Sequence, residues 1–420
     1  MTVAAQPPVC DIAVVTFEQM WRDLEPVGRD RRTTGYVRSP FASAERECAA
    51  WYAEEAGRRG LELEYDGQGN AVAWWRPRDG INTTSAAAGD AILVGSHLDS
   101  VDQGGAFDGP LGVVSSFAAI DRLRESGFTP TRSVGVAMFV EEEGSRFGIA
   151  CLGSRLATGR IEAAEAAQLR DRDGVFLLDA MTAAGLEPQL GPSSLLADVG
   201  CFVELHVEQG RDLVDRGRAV AMASSSWAHG RWRFDFGGQP NHAGATRMED
   251  RHDPMLTYAM TALAANKKAR LTDARATFAR VDVEPNITNA IPSRVRAWLD
   301  ARGADAAQVD ELVATVTRQA GERATRDGTR LEVTTESVVP TVDFDLALSR
   351  RLAALLEDAP LIATGAGHDA GILQLAGIPA AMIFVRNPTG ISHSPDEFAQ
   401  TADCLVGIEA LASVIEELAS

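Results

Sequence analysis

The stretch AILVG (residues 91–95), followed at once by Ser96-His97-Leu98-Asp99-Ser100, decides the fold class. It has none of the alternation of a half-buried strand, so it predicts a strand covered on both faces, the kind found in parallel sheets between helices. Polar residues follow without a gap, so chemistry is expected beyond the carboxyl end of the strand. Working outward, a helix-like segment over 112–125 leads to SVGVAMFV (133–140) and then EEEGSRFG (141–148), and CFVELHVE (201–208) repeats the pattern. This alternation predicts an α/β fold with buried, largely parallel strands.

From Ala219 the texture changes. RWRFDFGG (231–238) alternates, 252–268 is helix-like, ATFARVDVEP (276–285) and RVRAWLDAR (294–302) alternate, 305–323 is an amphipathic helix, and LEVTTES (331–337) closes the set. That β-α-β-β-α-β order predicts a ferredoxin-like α+β layer inserted into the first domain. The boundaries drawn from the text are 1–218 and 338–420 for the two segments of the α/β domain, and 219–337 for the insertion. In the returning segment, 344–357 and 397–418 are expected helices and AAMIFV (380–385) a strand. There is no internal repeat, and NTTSAAAGD (82–90) is expected to be a surface loop.

Composition narrows the function. With 420 residues, 45% apolar and 24% charged, the chain is an ordinary globular protein of two to four domains, not a disordered or collagenous one. No run reaches the roughly 18 apolar residues of a membrane span, and the opening MTVAAQPPVCDIAVV lacks the pattern of a secretory leader, so a cytoplasmic protein is expected. Forty Lys and Arg against 59 Asp and Glu give a net charge of -19, which repels nucleic acid and anionic lipid. An anionic substrate must therefore be held by a few local cations. The five cysteines (Cys10, Cys48, Cys151, Cys201, Cys404) are scattered without a CxxC pair, so they are expected to be small buried apolar residues, not a disulfide framework or thiolate site.

Seven histidines stand in unusual company, as in SHLDS (His97), ELHVEQG (His206), NHAGA (His242) and SHSPDE (His393). His97 and Asp99, two apart at a strand end, can point the same way, so Asp99 can orient the imidazole behind a metal; the plainer reading is a core histidine with a capping Asp. FDGPLGV sets Asp108 in a Gly-rich turn opening a helix, where it either caps the helix or bridges two cations. The Gly104-Gly105 pair is not a phosphate loop, because no GK[ST] follows. Glu141, Glu142 and Glu143 repel one another at a strand end unless they form a solvated face or a divalent cation relieves them. If the strand runs through them, neighbours point to opposite sides and one can bind metal while the next faces a water. Carboxylates with imidazoles suit zinc, manganese or nickel.

SHLDS, GGAFDGPLGV, EEEGSRFG, ELHVEQG, NHAGAT, NAIPSRV, GAGHDA and GISHSP, in this order over residues 95–398, resemble the motifs of the N-carbamoyl-L-amino-acid hydrolase and allantoate amidohydrolase family. That family includes β-ureidopropionases and is related to dinuclear zinc aminoacylases and glutamate carboxypeptidases. The resemblance implies a mixed-sheet, metallopeptidase-like catalytic domain whose ferredoxin-like insertion is a lid and dimerisation domain. It implies two divalent ions per chain, zinc first with manganese, cobalt or nickel possible in its place, on His97, Asp108, Glu143, His206 and His393, with Asp108 bridging. Glu142 would be the general base, His242 would stabilise the oxyanion, and Gln209, Asn289 and Arg302 would contact a small carboxylate substrate. The residues themselves do not choose among the three glutamates. By their own context Arg302 reads as a strand-end arginine, and Glu141 has no role. The activity implied is hydrolysis of a carbamoyl or ureido C–N bond by a homodimer, with an aminoacylase or dipeptidase on the same metals as the alternative. A metal-free binding protein is disfavoured because every implied ligand position is filled. One departure is Arg247 in HAGATRM, where the family commonly has Pro, which bears on substrate preference and lid closure.

Overall fold

The computed structural model describes residues 16–77 and 89–420. Cys10 and most of the 82–90 segment lie outside the described residues. In chain order the strands are β1 (Glu62–Tyr65), β2 (Ala71–Trp75), β3 (Ala91–His97), β4 (Val134–Phe139), β5 (Val199–Val207), β6 (Val220–Ser226), β7 (Ala228–Gly237), β8 (Asn241–His242), β9 (Arg275–Glu284), β10 (Ala290–Ile291), β11 (Arg294–Gly303), β12 (Arg330–Val339), β13 (Val342–Asp343), β14 (Leu361–Thr364) and β15 (Ala380–Val385). The chain divides into two compact units. One holds the chain up to Ser224 with Phe344–Ile362 and Gly367–Ser420, the other Ser225–Asp343 with Ala363–Ala366.

The first unit is built on a sheet in the order β1-β2-β4-β3-β5-β15-β6. Its centre is parallel, β3 pairing with β4 and β5, and β5 with β15. Its flanks are antiparallel, β2 against β4 and β6 against β15, so the sheet is mixed where the apolar runs alone predicted mostly parallel pairing. The reading of AILVG is confirmed residue by residue: Ile92 and Val94 enter a core cluster with the helices Ser43–Arg58, Pro110–Glu125 and Thr401–Ala419, while Leu93 enters the cluster on the opposite face with Phe202 and Phe384. A strand with both faces dry gains roughly 1.5 to 3 kcal/mol per large buried apolar side chain, which fixes where β3 ends and hence where His97 stands.

The second unit is a four-stranded antiparallel sheet in the order β12-β7-β11-β9, with helices Pro254–Leu271 and Ala306–Asp327 packed on Phe234, Phe236, Val295 and Leu299. Its β-α-β-β-α-β order is the ferredoxin-like one the sequence predicts. The compact unit begins at Ser225 and ends near Asp343, not at 219 and 337. The displacement has a physical cause: Val220, Ala221 and Met222 pair with Val385, Phe384 and Ile383, so the residues just after the drawn boundary belong to the first sheet. Among the described residues no helix is long and apolar enough to cross a membrane.

Candidate metal and catalytic site

His97 is the last residue of β3 and is fully buried. Its Nδ1 lies 3.1 Å from the backbone carbonyl of Asp99 and 3.5 Å from that residue's Oδ1. A carbonyl can only accept, so Nδ1 carries the proton and Nε2 presents a lone pair. His206, near the end of β5, repeats this arrangement with Nδ1 2.9 Å from the carbonyl of Val207. Asp99 orients His97 chiefly through its main chain. Its carboxylate instead accepts from the amides of Glu142 at 3.2 Å and Glu143 at 3.3 Å, tying the end of β3 to the turn after β4.

The two Nε2 atoms are buried, have no hydrogen-bond partner, and face Asp108 Oδ1 at 3.6 Å from His97 and 3.2 Å from His206. Two lone pairs aimed at a carboxylate oxygen repel unless a cation lies among them. On the other side, His393 Nε2 lies 3.3 Å from both Asp108 Oδ2 and Glu143 Oε2. Two donor sets therefore share Asp108, namely His97, Asp108, His206 and Asp108, Glu143, His393, each with its ligand atoms within 4.8 Å of one another. The electrostatics agree. Burial resists charge on Asp108, but the imidazoles of His206, His393 and His97 that face it hold its carboxyl well below the usual range. Burial also opposes charge on His393, yet Glu143 and Asp108 push it up to about 11. A carboxyl kept ionised beside an imidazole that holds its proton this strongly marks a site for positive charge, and the residues fit a divalent pair.

The glutamates are not arranged as a continuing strand. β4 stops at Phe139, and Glu141 turns the chain with φ of 54°. Glu142 and Glu143 both follow that turn, their amides held by the two oxygens of the Asp99 carboxylate, so strand alternation does not set where they point. Glu142 is buried, with Oε2 3.7 Å from His97 Nε2 and Oε1 accepting from the Cys151 thiol at 3.3 Å. Burial raises its carboxyl well above the normal range and the charges of Asp369, Glu143 and Asp99 add to this, while His97 opposes it. Glu141, buried and pushed up to about 8 chiefly by burial, accepts from the amides of Arg146 and Phe147 and so holds the GSRFG turn.

Residues 93–417 match the peptidase family M20/M25/M40. The chain is 34% identical to an N-carbamoyl-L-amino acid amidohydrolase of Geobacillus stearothermophilus over 97% of its length and 99% of that protein. It is 32% identical to an allantoate amidohydrolase of Bacillus subtilis over 86% of its length and 87% of that protein. A crystal structure of a hydantoinase/carbamoylase family amidase from Burkholderia vietnamiensis superposes with a TM-score of 0.88 at 26% identity, covering 97% of this chain and 98% of that one. The chain belongs to the M20/M25/M40 peptidase family.

M20 enzymes are metal-dependent hydrolases, and the two donor sets supply the cation-binding clusters such an enzyme needs. The remaining residues named from sequence divide between the units of this M20 chain. Gln209 joins the first, donating from Nε2 to Asp108 Oδ2 at 2.7 Å and to Ser392 Oγ at 3.2 Å. His242 and Asn289 are brought together in the second: β8 pairs with β10, and the carbonyl of Asn289 accepts from the amide of Ala243. His242 Nδ1 accepts from the amides of Gly244 at 3.0 Å and Ala245 at 3.1 Å, which leaves Nε2 as the N–H of the neutral ring. Arg302, near the end of β11, donates to both oxygens of Asp300 and to the carbonyl of Gly365. Arg247 is exposed, with Glu249 3.9 Å away.

Sequence reading missed Glu397, which accepts from the amides of Phe107 at 2.8 Å and Asp108 at 2.9 Å. The text placed it at the start of a helix that begins only at Thr401. Glu204 is also buried, accepting from Ser96 Oγ at 2.7 Å and the Ala370 amide at 3.0 Å, and the rings of His368 and His206 lie 4.5 Å apart. The Glu in ELHVEQG and the His-Asp of GAGHDA were the available signals.

Proposed function

We propose that this protein hydrolyses the carbamoyl or ureido C–N bond of a small carboxylate, consuming water and yielding an amine, ammonia and carbon dioxide. An N-carbamoyl-L-amino acid is the first substrate, ahead of allantoate and N-carbamoyl-β-alanine. The observation that carries the reading is a buried carboxylate, Glu142, beside two donor sets that share Asp108. The names of the two relatives supply the class of bond.

His97, Asp108, Glu143, His206 and His393 would hold two divalent ions, zinc first, though the same donors accept manganese, cobalt and nickel. When bound, the ions supply positive charge that polarises a carbonyl and makes a water acidic. Glu142 takes the water's proton and returns it to the leaving nitrogen. Its raised proton affinity suits the second half of that task, and the Cys151 thiol on Oε1 leaves Oε2 for the transfer. The Nε2–H of His242 stabilises the oxyanion, while Asn289 and Arg302 hold the substrate carboxylate and Gln209 contacts substrate beside Asp108. The ferredoxin-like unit serves as lid and dimer contact. Leu256, Met260 and Leu263 are exposed along one face of the Pro254–Leu271 helix, and β9 is an edge strand, so a second copy paired through both would cover them. Light scattering that gives one chain per particle would remove the dimer.

The deciding experiment is ammonia release from a panel of N-carbamoyl-L-amino acids, N-carbamoyl-β-alanine, allantoate, ureidoglycolate and N-acetyl amino acids, with each metal restored in turn. Turnover of the N-acetyl compounds alone would replace this reading with an aminoacylase.

A further inference from the structure

Glu397 lies between two segments that each carry a candidate metal ligand, 285 positions apart in sequence (Asp108 and His393). It is 5% exposed. Oε1 accepts both the Phe107 and the Asp108 amides, while Oε2 lies 2.9 Å from Ser392 Oγ, next to His393. The approach is so close that a Cβ at position 105 would come within 2.3 Å of Oε1, which is why GGAF has glycine there. Ser392 has one hydroxyl proton and two acceptors in reach, Glu397 Oε2 at 2.9 Å and Asp108 Oδ2 at 3.1 Å. Its oxygen already receives the Gln209 amide. Asp108 Oδ2 already accepts from Gln209 Nε2 at 2.7 Å, so where the Ser392 proton goes decides whether its remaining lone pair is left for a cation, since a lone pair accepting a hydrogen bond is a poorer ligand.

We propose that Glu397 is a positioning residue for the cation sites: it fixes the Phe107–Asp108 turn against the Ser392–His393 segment and draws the Ser392 proton away from Asp108 Oδ2. Its influence falls on the donor set Asp108, Glu143, His393, which uses that oxygen. The set with His97 and His206 uses Oδ1 and is affected less. The inference rests on the reading that these residues hold two divalent ions.

The test replaces Glu397 by Gln, which has the same shape. The Gln carbonyl can still accept the two amides, but its NH2 becomes a donor toward Ser392 Oγ, so the serine proton is left to Asp108 Oδ2. Calorimetric titration of metal-stripped protein with Zn2+ or Mn2+ alone should give two events for the wild type. In Glu397→Gln one should be nearly unchanged and the other weakened by about 10- to 100-fold, the usual cost of disturbing an outer partner of a ligand. Adding Ser392→Ala to Glu397→Gln removes the misdirected proton and should restore most of the lost affinity, a rescue that a purely structural role of Glu397 would not give. Two wild-type-like events in Glu397→Gln, or a double variant no better than the single one, would overturn the proposal and leave the two-ion reading intact. A wild type that takes up no ion would overturn both.

Discussion

At the scale of single residues, the turn after β4 gives neighbouring glutamates different tasks. Glu142 is sealed against Cys151 and His97, whereas Glu143 faces His393. Glu142→Gln keeps the shape but removes the basic oxygen, so kcat should fall by roughly 10²- to 10⁴-fold with metal content unchanged. Glu143→Gln should lose metal together with activity. Elemental analysis beside single-turnover assays separates the two, and metal loss from Glu142→Gln would make that residue a ligand instead. Arg302 is a sharper case, because Asp300 and the Gly365 carbonyl already occupy part of its guanidinium. If it also reads the substrate carboxylate, Arg302→Ala should lower kcat/KM by about 30-fold or more on carboxylate substrates and far less on the matching amides. An equal fall for both would assign Arg302 to the end of β11 alone.

At the scale of elements, the apolar runs at 91–95, 133–140, 201–208 and 380–385 became β3, β4, β5 and β15 because burial on both faces leaves a continuous signal. β1 and β14 were not seen, being short and partly exposed, and β6 fell unread inside the drawn insertion because its partner β15 lies more than 150 residues further on. The candidate ligand set was drawn from eight ordered motifs, but Asp99 meets His97 through its carbonyl and Glu397 accepts main-chain amides, and contacts of that kind leave no mark on local sequence. The helix Ser43–Arg58 has a further property of its own. Glu45 in its first turn accepts the Phe41 amide while buried, and burial pushes its carboxyl up to about 7. The folded state then binds this proton more tightly than the unfolded chain, so the contribution is full below about pH 4.5 and is lost as pH rises through 7. Glu45→Gln should therefore gain thermal stability over the wild type as pH is raised from 5 to 8, with the advantage vanishing near pH 4; a pH-independent difference would contradict the assignment.

At the scale of the whole molecule, a net charge of -19 opposes the approach of an anion, so recognition has to rest on local donors, and the candidates His242, Asn289 and Arg302 all lie in the second unit. Removing either Glu142, the proposed general base, or His242, the proposed oxyanion donor, should inactivate a chain. If the lid of one chain serves its partner's catalytic unit, mixed dimers of Glu142→Gln and His242→Ala should regain one working site. Activity in purified heterodimers near half the wild-type level per dimer is the expected result. Its absence would assign each lid to its own chain.

The order of strands along the chain has a consequence for how the protein is made. β15 sits between β5 and β6, and His393 follows it, yet both are separated from β6 by the entire Ser225–Asp343 unit. A nascent chain leaving the ribosome thus presents β5 and β6 with no strand between them, and four of the five candidate ligands with no fifth, until residues 380–393 emerge. Over that interval two apolar strand edges are open to wrong partners, the circumstance in which chaperones matter most. Ribosome-released fragments ending before residue 380 should be insoluble and bind metal poorly, however completely the inserted unit within them has folded.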